Sequence, residues 1–221
     1  MSADERSGQG APESDDPPWA DGNGGGGADR GAGEAGADPD DPPWAEDDEG
    51  GDETGASGQP SSSVELYLLR HADAGDSAAW DGPDEDRPLT KKGRQQSERM
   101  GDFLKDIGFR PDALLSSPKL RAHETAKLVS REVGRKVQLD KSLAESFGLS
   151  ALEALLERHD AQRVMLVGHD PDFSTLVALL CGASRVPLKK GALARIDATR
   201  PVRPGSGELR WLVPPALIRK L

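Results

Sequence analysis

Two short apolar runs in this chain each stop at a histidine, and they set what it can fold into. Val64–Leu69 is followed by Arg70-His71, and Val164–Val167 by Gly168-His169. Runs this short, mostly apolar and closed by polar residues, read as strands buried on both faces. Ala113–Leu115 and Val137–Leu139 are further brief strands, and Ala192–Ile196 and Leu209–Val213 read as closing strands. Helical segments lie between them. Lys91–Ile107 sets Met100, Phe103, Leu104 and Ile107 on one face, with Thr90 as its cap. Ser117-Pro118 has the form of an N-cap followed by proline at the first helical position, opening a helix to about Val133. Ser150 with Glu153 has capping-box spacing and opens a helix to about His159. Asp170-Pro171 opens another, to about Cys181. The alternation predicts an α/β protein: a three-layer α/β/α sandwich with a mostly parallel central sheet.

The pattern begins only at Ser63. Residues 1–62 carry 17 acidic and 2 basic side chains, a net −15, while the remaining 159 residues carry +4. The first segment is dominated by Gly, Asp, Glu, Ala, Pro and Ser, so it is expected to be a disordered acidic tail that cannot offset its ordering entropy. The chain therefore divides into a tail, 1–62, and a domain, 63–221, long enough for one core. Because the acidity sits in the tail, the overall charge of −11 says little about what the domain binds. Within the tail Asp15-Asp16-Pro17-Pro18-Trp19-Ala20 recurs as Asp40-Asp41-Pro42-Pro43-Trp44-Ala45. The repeat is either low-complexity duplication or a pair of aromatic anchors on Pro-Pro frames, able to engage a protein partner bivalently. Cys181 is the single cysteine, so no disulfide forms within the chain. No signal-like segment or bilayer-length apolar run occurs, and a cytoplasmic protein is expected, with neither nucleic acid nor membrane as partner.

In open α/β sheets, ligands bind beyond the carboxyl ends of the strands, which points to Arg70-His71 and Gly168-His169. An imidazole with pKa near 6.5 is a nucleophile at neutral pH. Phosphoryl transfer to histidine splits one difficult step into two, and the transferring group needs fixed positive donors around it. Arg70 is adjacent, Arg121 lies near the start of the helix after Ser117, and His169 is able to donate to an equatorial oxygen. Singly, each residue is as readily a surface or core-edge side chain; their common placement at one sheet edge is what makes them a site. His123 and His159 fall in helices and are left out. Asp84-Glu85-Asp86 reads as a charged loop, and no His/Cys/Asp cluster has metal-ligand spacing, so neither metal nor cofactor is expected. Lys91-Lys92 and Lys189-Lys190 are basic pairs that suit an acidic partner surface but read more simply as solvated faces. A phosphate-cradling G-x-x-x-x-G-K-[ST] loop is absent from the sequence.

From Val64 to Leu221 the sequence resembles the histidine phosphatase superfamily, and within it the short bacterial SixA-type phosphohistidine phosphatases. The matching segments, in the family's order, are Leu68-Leu69-Arg70-His71-Ala72, Arg87-Pro88-Leu89-Thr90 with Gly93-Arg94, Ser116-Ser117-Pro118 with Arg121, Glu124-Thr125-Ala126, and Val167-Gly168-His169. The larger members carry Gly after the first histidine; Ala72 fits the SixA-like branch. The resemblance implies that His71 is the phosphorylated nucleophile, that Arg70, Arg121 and His169 hold the phosphate, and that Arg87 adds a contact. It offers two proton donors. Glu145 sits where many members have their acid, and Asp170 resembles the acid of the phytase-like branch, although before Pro171 it is also a natural N-cap. Glu145 is the favoured one. Phosphohistidine, with its activated P–N bond, needs less acid help than an alkyl ester.

The expected activity is thus hydrolysis of phosphohistidine in proteins through a covalent intermediate. Little room for a cap-like insertion lies between Ser117 and His169, and an open pocket admits a protein surface. The alternatives are a small-molecule phosphomonoester phosphatase and a non-catalytic phosphoprotein-binding scaffold.

Overall fold

The computed structural model describes residues 63–218; the acidic tail and its two repeats lie outside the described residues. The strand β1 (Ser63–Arg70) alternates its side chains between two cores. Val64, Leu66 and Leu68 enter one, Tyr67 and Leu69 the other. The same parity runs through β4 (Arg163–Gly168), with Val164 and Leu166 on the first face and Met165 and Val167 on the second. Both strands are covered on both sides, which is why they read as near-continuous apolar runs.

The helices α1 (Lys91–Asp106) and α2 (Leu120–Val133) supply the cover on the Tyr67 and Leu69 side. On the Leu66 and Leu68 side it comes from α3 (Leu149–Arg158) and α4 (Asp172–Leu180). The remaining strands are β2 (Ala113–Ser116), β3 (Val137–Leu139), β5 (Leu193–Thr199) and β6 (Gly207–Val213). The sheet order is β3-β2-β4-β1-β5-β6. The first four strands in this order are mutually parallel; β5 pairs antiparallel with β1, and β6 antiparallel with β5. This is the expected three-layer α/β/α sandwich. Among the described residues no helix is long and apolar enough to cross a membrane.

Helix starts depart from expectation in three places. Thr90 does cap α1, its hydroxyl accepting from Gly93 N–H at 3.0 Å. Ser117 does not cap α2, which begins at Leu120 with Lys119 as its cap residue. Ser150 and Glu153 form no capping box. The α3 helix starts at Leu149 behind Gly148, and Glu153 instead accepts from Val202 N–H at 2.8 Å. Pro171 is the cap residue of α4 rather than its first helical position, with Asp170 one residue outside. Ser117 and Glu153 are drawn to tertiary partners, His169 and Val202, whereas Asp170 still serves the start of α4 by accepting from Ser174 N–H at 3.3 Å. Ile107 also leaves the predicted apolar face of α1: it follows the helix and is 51% exposed.

Candidate active site

The register of the two central strands builds the site. Arg70 of β1 pairs with Gly168 of β4, so the residues that follow, His71 and His169, leave the sheet side by side. The His71 N–H donates to the Gly168 carbonyl at 2.9 Å. Their ring centroids are 5.2 Å apart. Continuing the strand parity puts both imidazoles on the α2 side and Arg70 on the α4 side. Gly168 permits the close approach of α4 to this edge: a Cβ there would lie 2.6 Å from Phe173 Cζ.

The His71 side chain is oriented by its own loop. Nδ1 lies 2.8 Å from the Ala72 carbonyl, which only accepts, so Nδ1 carries the proton and Nε2 bears the lone pair. Arg121, the second residue of α2, turns its Nε toward that lone pair at 3.4 Å. Both His71 and Arg121 are buried. Thr125 ties the two segments together, accepting from Ala72 N–H at 3.1 Å while donating to the Arg121 carbonyl at 2.7 Å. One residue earlier Glu124 holds Leu89 N–H at 2.7 Å, which anchors the Arg87–Thr90 segment to α2.

His169 Nε2 meets the buried Ser117 hydroxyl at 2.8 Å. Its other nitrogen, Nδ1, is buried without a partner, and so is Arg70 Nε. Arg70 is otherwise engaged, by Nη1 with the Leu188 carbonyl at 2.6 Å and with Asp170 at 3.4 Å. The strand edge thus holds a histidine lone pair flanked by a guanidinium, with two buried polar nitrogens that no protein group satisfies. Such groups are costly unless a ligand meets them.

The remaining candidates are placed differently. Arg87 is buried, and its donors go to the Ala74 carbonyl at 2.8 Å, the Gly75 carbonyl at 3.3 Å and the Asp84 carboxylate at 2.9 and 3.0 Å. Asp170 accepts from the Ser174 hydroxyl at 2.7 Å as well as pairing with Arg70. Glu145 is exposed beyond the turn Lys141–Ala144 and makes no polar side-chain contact with His71 or His169. Asp84, which the sequence left in a charged loop, joins the site. Its Oδ2 lies 2.9 Å from Arg121 Nη2 and its carbonyl accepts from Arg121 Nη1 at 2.6 Å. One residue therefore grips both terminal nitrogens of Arg121 and leaves its Nε to His71. Burial works to raise the Asp84 carboxyl, but Arg87 and Arg121 outweigh it and hold it below the usual carboxylate range. No local signal pointed to these two partnerships, because Asp84 and Arg121 are 37 positions apart and Ser117 and His169 are 52 apart. Among the described residues no group of three or more His, Cys, Asp and Glu side chains gathers as a metal site.

Both imidazoles are held neutral. Burial is the largest cause for each, and nearby cations add to it, with His71 itself acting on His169; both are pushed down to about 3. The unfolded chain takes up protons on these histidines below about pH 6.5, whereas the native state does so only near pH 3. Their contribution to stability is therefore complete above pH 6.5 and is lost as pH falls toward 3. The expected result is a denaturant midpoint that declines across that window. The acid limb of kcat/KM should show no histidine ionisation between pH 5 and 8, readable with p-nitrophenyl phosphate.

The model of the histidine phosphatase superfamily (branch 1) matches residues 66–149. An uncharacterised protein of Picosynechococcus sp. is 34% identical over 166 residues, 68% of this chain and 100% of that protein. Phosphohistidine phosphatase SixA of Escherichia coli is 30% identical over 166 residues, 71% of this chain and 97% of its own length. A solved structure of the protein histidine phosphatase SixA complexed with tungstate superposes with a TM-score of 0.60 at 25% identity, covering 71% of this chain and 100% of that one. A histidine pair in this register, on this sheet, in a chain matched along nearly the full length of those proteins, places the protein in the histidine phosphatase superfamily, a family of phosphatases, and in its SixA-type branch.

Proposed function

We propose that the protein removes phosphate from phosphohistidine in proteins, through a phosphoryl group carried on His71. The observation that carries this is the His71 Nε2 lone pair set against Arg121 Nε, beside two buried nitrogens, Arg70 Nε and His169 Nδ1, that lack protein partners. In this reading the phosphoryl oxygens meet Arg121, Arg70 and His169, while His71 attacks phosphorus in line. Arg87 acts indirectly, by holding Asp84 against Arg121.

The substrate leaves as imidazole. When its distal nitrogen is protonated, the P–N bond breaks to give a neutral ring, and the electron pair stays on the departing nitrogen. The P–Nε2 bond forms as the other breaks. Water then adds to phosphorus, the P–Nε2 bond breaks, and both hydrogens of the water stay with the phosphate released. Neither step calls for a strong carboxylic acid. That fits a site where Asp84 and Asp170 are paired with arginines and Glu145 stands exposed. The relative solved with tungstate shows that a SixA protein accepts a phosphate-like oxyanion, in keeping with this reading.

The test is a substrate panel of phosphohistidine peptide, sugar phosphates and nucleotides, run with the native protein and with Glu145→Gln. The expected result is preferred turnover of phosphohistidine, with Glu145→Gln within about threefold of native, because general acid help would be worth at least about 10²-fold. Strong turnover of one alkyl ester, abolished by Glu145→Gln, would favour the small-molecule reading. Binding of phosphopeptide with no turnover of any substrate would favour the scaffold.

A further inference from the structure

Two basic pairs distant in sequence, Lys91-Lys92 and Lys189-Lys190, come together in the fold. Lys92 from the first and both lysines of the second line one open cleft of about 750 Å³. Arg99 stands two turns along α1 from Lys92 on the same wall, and Arg70 reaches the cleft from the active site. The floor is apolar, Pro214 to Leu217, with Leu217 71% exposed. Five cations thus line this cleft against one carboxylate, Asp73. Lys190 is matched to Asp73 at 3.5 Å and Arg70 to Asp170 at 3.4 Å. Among the described residues Lys92, Arg99 and Lys189 have no carboxylate within 4.0 Å. The cleft is joined to the nucleophile: Gly191 N–H, next to Lys190, donates to the carbonyls of Arg70 and His71 at 3.1 and 3.0 Å.

We infer that this cleft docks an acidic, partly apolar segment flanking the phosphorylated residue of a protein substrate. The inference rests on the phosphoprotein reading above and names what that substrate carries beside its phosphate. A single small anion would satisfy one cation and leave the exposed Leu217 floor unused. An extended acidic segment meets both walls, and an apolar side chain within it covers the floor. No aromatic side chain lines the cleft, so nucleic acid bases find no stacking platform there. Charge complementarity of this kind acts on encounter and KM more than on the chemical step.

The test compares two phosphohistidine peptides, one with Asp and Glu flanks and one with Asn and Gln in their place, using the full-length protein. At low salt the native protein should favour the acidic peptide by at least about tenfold in kcat/KM, through KM. That preference should shrink as salt rises, since the Debye length falls from about 30 Å at 0.01 M to about 8 Å at 0.15 M. The variant Lys92→Glu/Arg99→Glu/Lys189→Glu should lose it while keeping native turnover of p-nitrophenyl phosphate; the matching Gln variant guards against folding defects. Polyglutamate should compete with the acidic peptide. If neither peptide is turned over, the phosphohistidine reading fails. If both are turned over equally, or the preference survives charge reversal, only the docking inference fails. It is also overturned if an oligonucleotide or anionic vesicles compete better than polyglutamate.

Discussion

His71→Ala is expected to erase the covalent phosphoenzyme and to slow turnover by at least about 10⁴-fold, as loss of a catalytic nucleophile does. The physical reason is the tautomer. With its Nδ1 proton committed to the Ala72 carbonyl, His71 presents Nε2 as a lone pair at the end of β1. Burial and neighbouring cations keep that lone pair unprotonated. His169 has the other role in this assignment: with Nε2 accepting from the Ser117 hydroxyl, its unpartnered Nδ1 carries the proton and donates to the phosphate. Intact-mass measurement after a brief quench with a reactive phosphoryl donor should find one acid-labile phosphoryl group on the native protein and none on His71→Ala. The same label on both would refute the assignment.

Arg121→Lys is the second large effect, a loss of about 10²–10³ in kcat, the magnitude seen when one preorganised donor to a developing charge is removed. Lysine retains the charge. It lacks the planar fork that lets Asp84 hold two terminal nitrogens while Nε faces His71. The loss should therefore appear in kcat and in tungstate inhibition, with the thermal midpoint little changed. Asp84→Asn, which keeps the fork and loosens its hold, should lower kcat by less. A further loss of full size from Asp84→Asn in the Arg121→Lys background would mean that Asp84 acts independently of Arg121.

Much of the architecture is legible in the chain itself. The runs at Val64 and Val164 are short and apolar because their strands are buried on both faces, and that double burial leaves a plain record in sequence. The strand-end rule then led to His71 and His169 without any tertiary knowledge. Thr90 could be read as a cap because its partner, Gly93 N–H, is three residues away. Ser117 and Glu153 have the same local chemistry, yet their partners are His169 and Val202, 52 and 49 positions off. A long-range hydrogen bond overrides a local spacing signal, and sequence carries no trace of which one prevails.

The sequence by itself determined that strands and helices alternate after Ser63, which residues are candidates for the reactive chemistry, and at which edge of the sheet they emerge. Only the tertiary structure decided that Arg70 and Gly168 are in register, so that the two imidazoles meet, and that Asp84 holds Arg121 in place. It also decided that Lys92 and Lys189 share a cleft. The division has one cause. Burial and backbone preference act along a few residues and so mark the local pattern, whereas register and ion pairing join segments tens of residues apart and are fixed only when the sheet and its helices pack.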